Sequence, residues 1–474
     1  MASLLELAHE ILHHIFIQVE PADLAAISAT CKTLQSYVTS NRLLFKELYL
    51  QHLVNQALRA YISFGLPTQD DPAAGSPDGD PHYIERLKEV VKLQKLLETS
   101  DDETKQAHIS FVTSATSSLL ATANPDPHVS RNVQFLHSRF QEPRNKDSFL
   151  SRSTLFIRAT ESTSQLTKEE RQFSAKLHSL YGTKIDNVSR SCNSPTFPYA
   201  RSVVYDIRGY TDNNLWGPFL DESGEEWGGG LIVDWEKVEA IMVVLGHNMR
   251  HFSEHHGVDI VWDTPFAGMT GDRMEAAKWR GDGMNLVKEP GLDLQQVDPY
   301  NIHGTWRRVV CFLDYNDFYL FNFSTDIPRA EPRDPIHREE AIRLITMKLY
   351  PTKIEAPGPN DNPALPVVHF RGSSHSMHPS WDPNANSAIR GTVRLTPEGE
   401  VRWTTISVFH GEERWKSEGI QVGGLRSSRG VIGTWFDKDY DDQGPCGPTA
   451  FWKLSDTIEQ SKPRQTVSFG YLSL

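Results

Sequence analysis

The chain has 474 residues, 38% of them hydrophobic and 23% charged, a balance of globular proteins that excludes disorder as the dominant state and leaves room for roughly two to four domains. A formal net charge of -13 without any basic stripe argues against a nucleic-acid footprint. Four cysteines without CxxC spacing suit reduced thiols of cytoplasm or nucleus, and the absence of any apolar run of 18 residues speaks against a membrane partner.

The first fifty residues are patterned for helix. Leu7, Ile11, Leu12, Ile15, Phe16 and Val19 place an apolar stripe along one helix face. Glu6, His9 and Glu10 interrupt these positions, so the segment is no signal-peptide core. Pro21 and Asp23 suit the first turn of a second helix, in which Leu24, Ile27, Cys31, Leu34 and Val38 alternate steps of three and four. Ser40 and Asn41 offer an N-cap to a third, carrying Leu43, Leu44, Phe45, Leu48 and Tyr49. A module of about fifty residues is near the lower limit for an independent core, so its spare apolar positions need a partner or the rest of the chain.

Residues 51–81 read as the end of that helix and a flexible acidic linker, since 66–81 are rich in Pro, Gly and Asp. Helical periodicity returns over 82–194, a helical linker domain. Its amphipathic segments are 84–97, 109–121, 133–140 and 166–181, the last with Thr167 and Glu170 in capping-box spacing and Gly182 as C-cap.

Residues 195–474 read as a β-rich, barrel-like domain. Strands are expected at 203–208, 306–313, 318–323, 344–350 and 367–371, with 314–317 closing a hairpin. One inserted helix spans 234–252, where Asp234 caps Val238, Ile241, Met242, Leu245 and Met249. Four consecutive strands follow at 389–395, 401–409, 414–422 and 430–436, an up-and-down meander. Along the second of these Val401, Trp403, Thr405, Ser407 and Phe409 share one face, and the mixture suits a closed sheet with a partly polar lumen. Roughly ten strands in all would be enough to close. The fold class is therefore α+β multidomain: three N-terminal helices (3–50), a helical layer, and an antiparallel barrel with one helix inserted.

Chemistry-bearing motifs are few. His247, His251 and His255, with His256, share a helix face at metal-compatible spacing, but no further ligand is indicated nearby, and they read as a solvated helix end. Asp437, Asp439 and Asp441 start like a calcium loop, yet Asp442 replaces its glycine and Pro448 its closing glutamate. No P-loop, dinucleotide fingerprint or nucleophile elbow is present, so neither metal, cofactor nor catalytic residue is expected. Arg371, Trp381, Arg402, Trp403, Arg414 and Trp415 are candidates for capturing a substrate, because Arg and Trp combine contact area with fixed donors.

The stretch LAHEILHHIFIQVEPADLAAISATCKTLQSYVTSNRLLFKEL, from Leu7 to Leu48, resembles the F-box, the helical module by which adaptors of cullin-type ubiquitin ligases dock on the linker protein Skp1. It follows that family's LPxEIL, its DL pair, its Cys-Lys and its leucine-aromatic close, with Ala8 standing where the family has proline. The segments at 216–219, 233–247 and 391–453 resemble fungal F-box proteins with a C-terminal barrel-like domain, and the arrangement is distantly similar to animal F-box-only adaptors. The resemblance implies a non-catalytic adaptor that binds Skp1, and through it a cullin, in the cytoplasm or nucleus, with an unknown protein substrate on the β domain. It implies Skp1 contacts by Leu7, Ile11, Leu12, Ile15, Phe16, Leu24, Leu34, Leu44 and Phe45. A competing reading is a small-molecule-binding or enzymatic barrel with a structural N-terminal helical cap.

Overall fold

The N-terminal helices follow their apolar stripes, but the chain divides them more finely than the spacing implies. A computed structural model describes residues 4–52, 83–121, 123, 128, 130–163, 165–183, 185, 196–221, 231–256, 260–268, 294–377 and 386–458. A 3₁₀ turn at Leu4–Glu6 leads into α1 (His9–Phe16), α2 (Pro21–Thr30), α3 (Lys32–Ser40) and α4 (Arg42–His52). The expected second helix is thus two. Cys31 adopts φ -157° and ψ 161°, extended values that close α2 and open α3, while the Thr30 hydroxyl donates to the Ile27 carbonyl at 2.7 Å, a local bond that competes with continuation. Asn41 caps α4 as its position suggests, its Oδ1 accepting the Leu44 N–H at 3.0 Å. The linker expected over 51–81 lies outside the described residues from 53 onward.

The helical layer comprises α5 (Tyr83–Glu98), α6 (Asp102–Ala107), α7 (Ile109–Leu120), α8 (Arg131–Phe140), α9 (Pro143–Phe149), α10 (Thr154–Ala159), α11 (Lys168–Tyr181), α12 (Phe197–Val204) and α13 (Trp235–His256). The capping box of α11 is complete, Thr167 N–H donating to Glu170 Oε2 at 2.8 Å and Glu170 N–H to Thr167 Oγ1 at 3.2 Å. Residues 203–208 are not a strand. Pro198 starts α12 in its first turn, and a 3₁₀ turn at Ile207–Gly209 follows, with Asp206 accepting the Arg208 N–H. The two valines that suggested a strand serve α12 instead, Val204 being fully buried. Both α7 and α13 pack on α11, and α12 packs on α13. At the other end α4 packs along α5, so one continuous apolar interior runs from Leu12 and Leu44 through the layer to the outer face of the sheet.

After α14 (Leu294–Val297) come β1 (Gly304–Leu313), α15 (Tyr315–Phe323), β2 (Glu340–Glu355), β3 (Val367–Ser376), β4 (Asn386–Leu395), β5 (Val401–Phe409), β6 (Glu412–Gln421), β7 (Val431–Asp437) and β8 (Gly447–Ser455). Each strand runs antiparallel to the next and β1 pairs with β8, closing an eight-stranded barrel rather than one of ten. Residues 314–323 correct the expected hairpin and strand. Asp314 is the N-cap of α15, its Oδ1 accepting the Asn316 N–H at 2.9 Å, so an aromatic run with high strand propensity is read out as helix by its cap. Pro351 is accommodated where the register of β2 against β3 shifts, at a bulge. Glycines on the lumen side let strands close in: a Cβ at Gly391 would sit 2.1 Å from the Thr404 carbonyl oxygen.

Along β1 the outward Val309 and Cys311 join the helical layer, while Trp306 joins the lumen. One end of the lumen is filled. Trp306, Phe370, Trp403 and Phe451 form an aromatic cluster with centroids 5.1 to 5.9 Å apart, and Tyr300 and Ile302 pack under it as a plug. Trp306 Nε1 donates to the Ile302 carbonyl at 2.8 Å.

The plug is held by a buried acid. Asp298 accepts the N–H groups of Tyr300 at 2.9 Å and Ile302 at 2.6 Å, yet burial pushes its carboxyl up to about 6. The folded chain then keeps this proton to higher pH than the unfolded chain, whose aspartates titrate near 4, at about 3.9. Its contribution to stability is therefore greatest below that value and declines as pH rises to about 6. Urea titrations across this window should show the wild type losing stability relative to Asp298→Asn; parallel pH profiles for the two would refute the assignment.

Candidate functional site

The N-terminal module sorts its apolar residues into two sets. Leu12, Phe16, Leu24, Leu34 and Leu44 are buried, Leu44 completely. Ile11 and Ile15, one turn apart on α1, are 48% and 39% exposed. Leu7 and Phe45 are partly buried against the core. Of the nine residues expected on the docking face, the structure therefore brings Ile11 and Ile15 together on the surface and places five inside. Leu4, Leu5 and Leu43 are also exposed; the sequence reading assigned them no docking role, although Leu4, Ala8, Ile11 and Ile15 follow helical spacing.

Polar contacts fix how α1 presents this face. His13 Nε2 meets Glu47 Oε2 of α4 at 2.9 Å, and Tyr37 OH of α3 donates to the His9 carbonyl at 3.0 Å. Ala8 is the N-cap of α1, with φ -61° and no side-chain cap bond. That φ is the one a proline would impose, so the local backbone takes the shape the proline of the resembling pattern would enforce.

The barrel residues proposed for substrate capture separate as well. Arg414 and Trp415 stand at the open end of the lumen beside a cavity of about 430 Å³, which Trp435, Phe312 and Phe409 also line. Trp415 and Trp435 meet edge to face, centroids 5.2 Å apart. The other candidates do not join them. Trp403 is 1% exposed within the plug cluster, its Nε1 donating to Gln421 Oε1 at 3.1 Å. Arg402 faces outward and pairs with the fully buried Glu418 at 2.9 Å, which also accepts from the Thr404 hydroxyl. Arg371 is exposed on the outer face of β3, and Trp381 lies outside the described residues. Strand alternation carried the signal for the cavity, because Trp306, Arg308, Val310 and Phe312 share the inward face of β1.

Among the described residues no group of three His, Cys, Asp or Glu is placed to hold a metal ion. His247 stacks on Phe197 at 3.6 Å; the side chains of His251, His255 and His256 lie outside the described ones. Asp437 and Asp441 each accept a backbone N–H two residues on, at 2.9 and 3.0 Å, as turn residues do. No described helix is long and apolar enough to cross a membrane.

Residues 6–51 match the model of the F-box-like family. Neither the curated proteins nor the solved structures give a match.

Proposed function

From the F-box-like domain that this chain carries at residues 6–51, we propose that it is a non-catalytic substrate adaptor of a Skp1–cullin–F-box ubiquitin ligase. The F-box docks Skp1, and the C-terminal barrel captures a protein for ubiquitin transfer in the cytoplasm or nucleus. The observation that carries the first half is the pairing of that domain with an unused apolar face, Ile11 and Ile15 on α1, on a module whose other side is already packed on α5. Support for the second half is architectural. Continuous packing from α4 through the helical layer to β7 and β8 gives the barrel a fixed station relative to the docking face, which suits a protein that must hold cargo at a set distance from a transferase.

Skp1 is expected to co-purify with the full chain and to be absent when residues 6–51 are deleted. Equal recovery of Skp1 with and without those residues would sink the adaptor reading. Comparing ubiquitinated proteins captured by the two forms under proteasome blockade then identifies the cargo.

A further inference from the structure

A buried cation in the barrel has no use in the adaptor reading. Arg308 stands on the inward face of β1, one inward position beyond the Trp306 of the plug, and forms part of the lining of the 430 Å³ cavity. It is only 6% exposed. Nε donates to Thr449 Oγ1 at 2.9 Å, and that hydroxyl donates onward to the Val309 carbonyl at 2.9 Å. No described carboxylate pairs with Arg308, and its two terminal nitrogens donate to no described acceptor. Burial alone pushes the guanidinium down, to about 10, so it remains charged at neutral pH.

The other buried arginines have more partners. Arg333 has Asp206, Arg201 lies 3.9 Å from Glu340, and Arg429, which also lacks a described carboxylate, donates to the carbonyls of Ala267 and Thr264. A desolvated guanidinium with a single hydroxyl acceptor costs stability, and its planar fork is shaped for a carboxylate. Around it the cavity is apolar, walled by Val310, Phe312, Ile345, Phe409, Trp415 and Trp435, with serine hydroxyls interspersed. Arg343, Arg414 and the carboxylate of Asp314, which caps α15, also line the cavity. Arg308 is thus a buried cation that faces no described carboxylate, in a chain of net charge -13.

We propose that the cavity is a binding site for a small free carboxylic acid with an apolar aryl or alkyl body, its carboxylate on Arg308 and its body between Phe312, Phe409 and the tryptophan pair. One deep positive charge matches a monoanion, and the apolar walls disfavour a multiply charged phosphate. The volume lies in the range of small-ligand sites. The site does not depend on the adaptor reading.

Calorimetry on the full chain, with phenylbutyrate and octanoate as probes and phenylbutanamide as the neutral counterpart, tests this. The acids are expected to bind and to raise Tm, the amide to bind roughly 10–100-fold more weakly. Arg308→Met should erase the preference for acid while leaving the ligand-free Tm equal to or above that of the wild type, since an unpaired buried charge is gone. Arg308→Lys should keep the preference. The proposal is overturned if the wild type binds acid and amide alike, if neither acid saturates at millimolar concentration, or if inorganic phosphate competes as well as the acids. It is overturned too if Arg308→Met folds, melts lower and retains the preference, which would make Arg308 a structural residue.

Discussion

The Ile11→Asp, Ile15→Asp double variant is expected to lose Skp1 from its affinity eluate while its circular dichroism and melting stay close to wild type. Both side chains are exposed, at 48% and 39%, so the free protein loses little when they become polar; surface substitutions of this kind stay within about 0.5 kcal/mol. At an apolar interface the same change strands two carboxylates away from water, a cost of several kcal/mol each, and a reduction in affinity of at least about 100-fold follows. Phe16→Asp would be a poor test, although the residue belongs to the same sequence stripe. Phe16 is 1% exposed and meets Tyr37 edge to face at 5.8 Å, so its loss unfolds the module and removes Skp1 for an uninformative reason. Undiminished Skp1 recovery with folded Ile11→Asp, Ile15→Asp protein would remove α1 from the docking face.

Trp403→Ala is expected to destabilise the barrel by about 3–5 kcal/mol, the usual cost of deleting a large buried aromatic. The side chain touches Trp306, Phe370 and Phe451, with centroids 5.1 to 5.5 Å away, and its truncation also deprives Gln421 Oε1 of its donor at 3.1 Å. Trp415→Ala, at the half-buried rim, should cost under about 1.5 kcal/mol and act on ligand or cargo capture instead. Urea unfolding of both variants decides the point. Similar losses in the two would mean that the lumen is packed evenly to its mouth, and that the sorting into plug and cavity is wrong.

These two pairs show what the sequence discloses and where it stops. Helical spacing locates an apolar stripe but gives every member equal standing, since a core leucine and a docking isoleucine share one periodicity; only the way α1 lies against α3 and α4 tells them apart. Cys31 was hidden for the same reason, because the three-and-four pattern runs unbroken through a residue whose backbone is extended. In the sheet, period-two alternation carried β1 and the meander from β4 to β7 correctly, and put Trp403 and Ser407 on one face. The aromatic run at 315–323 misled, as strand propensity measures fit to a half-buried surface and a packed helix offers one too. β8 escaped notice because Gly447 and Pro448 open it, residues that weaken a strand everywhere except where neighbours on both sides hold it. Arg308 was legible as a lone charge on an apolar face, but that no described carboxylate faces it depends on what seven other strands place opposite.

The closure of β1 on β8 has a bearing on how the protein is made. Strands β2 to β7 each find a partner in the strand just synthesised, whereas β1 waits with one edge open until β8 arrives. The same wait leaves the outward contacts of Ala450 and Trp452 with the helical layer unmade. A message cut short before β8 would yield a sheet with two open edges, under a helical layer whose interior lacks Ala450 and Trp452. Such edges recruit other strands and chaperones. Among the described strands β8 is thus the one on which closure waits, and a chain that ends before it is expected to aggregate.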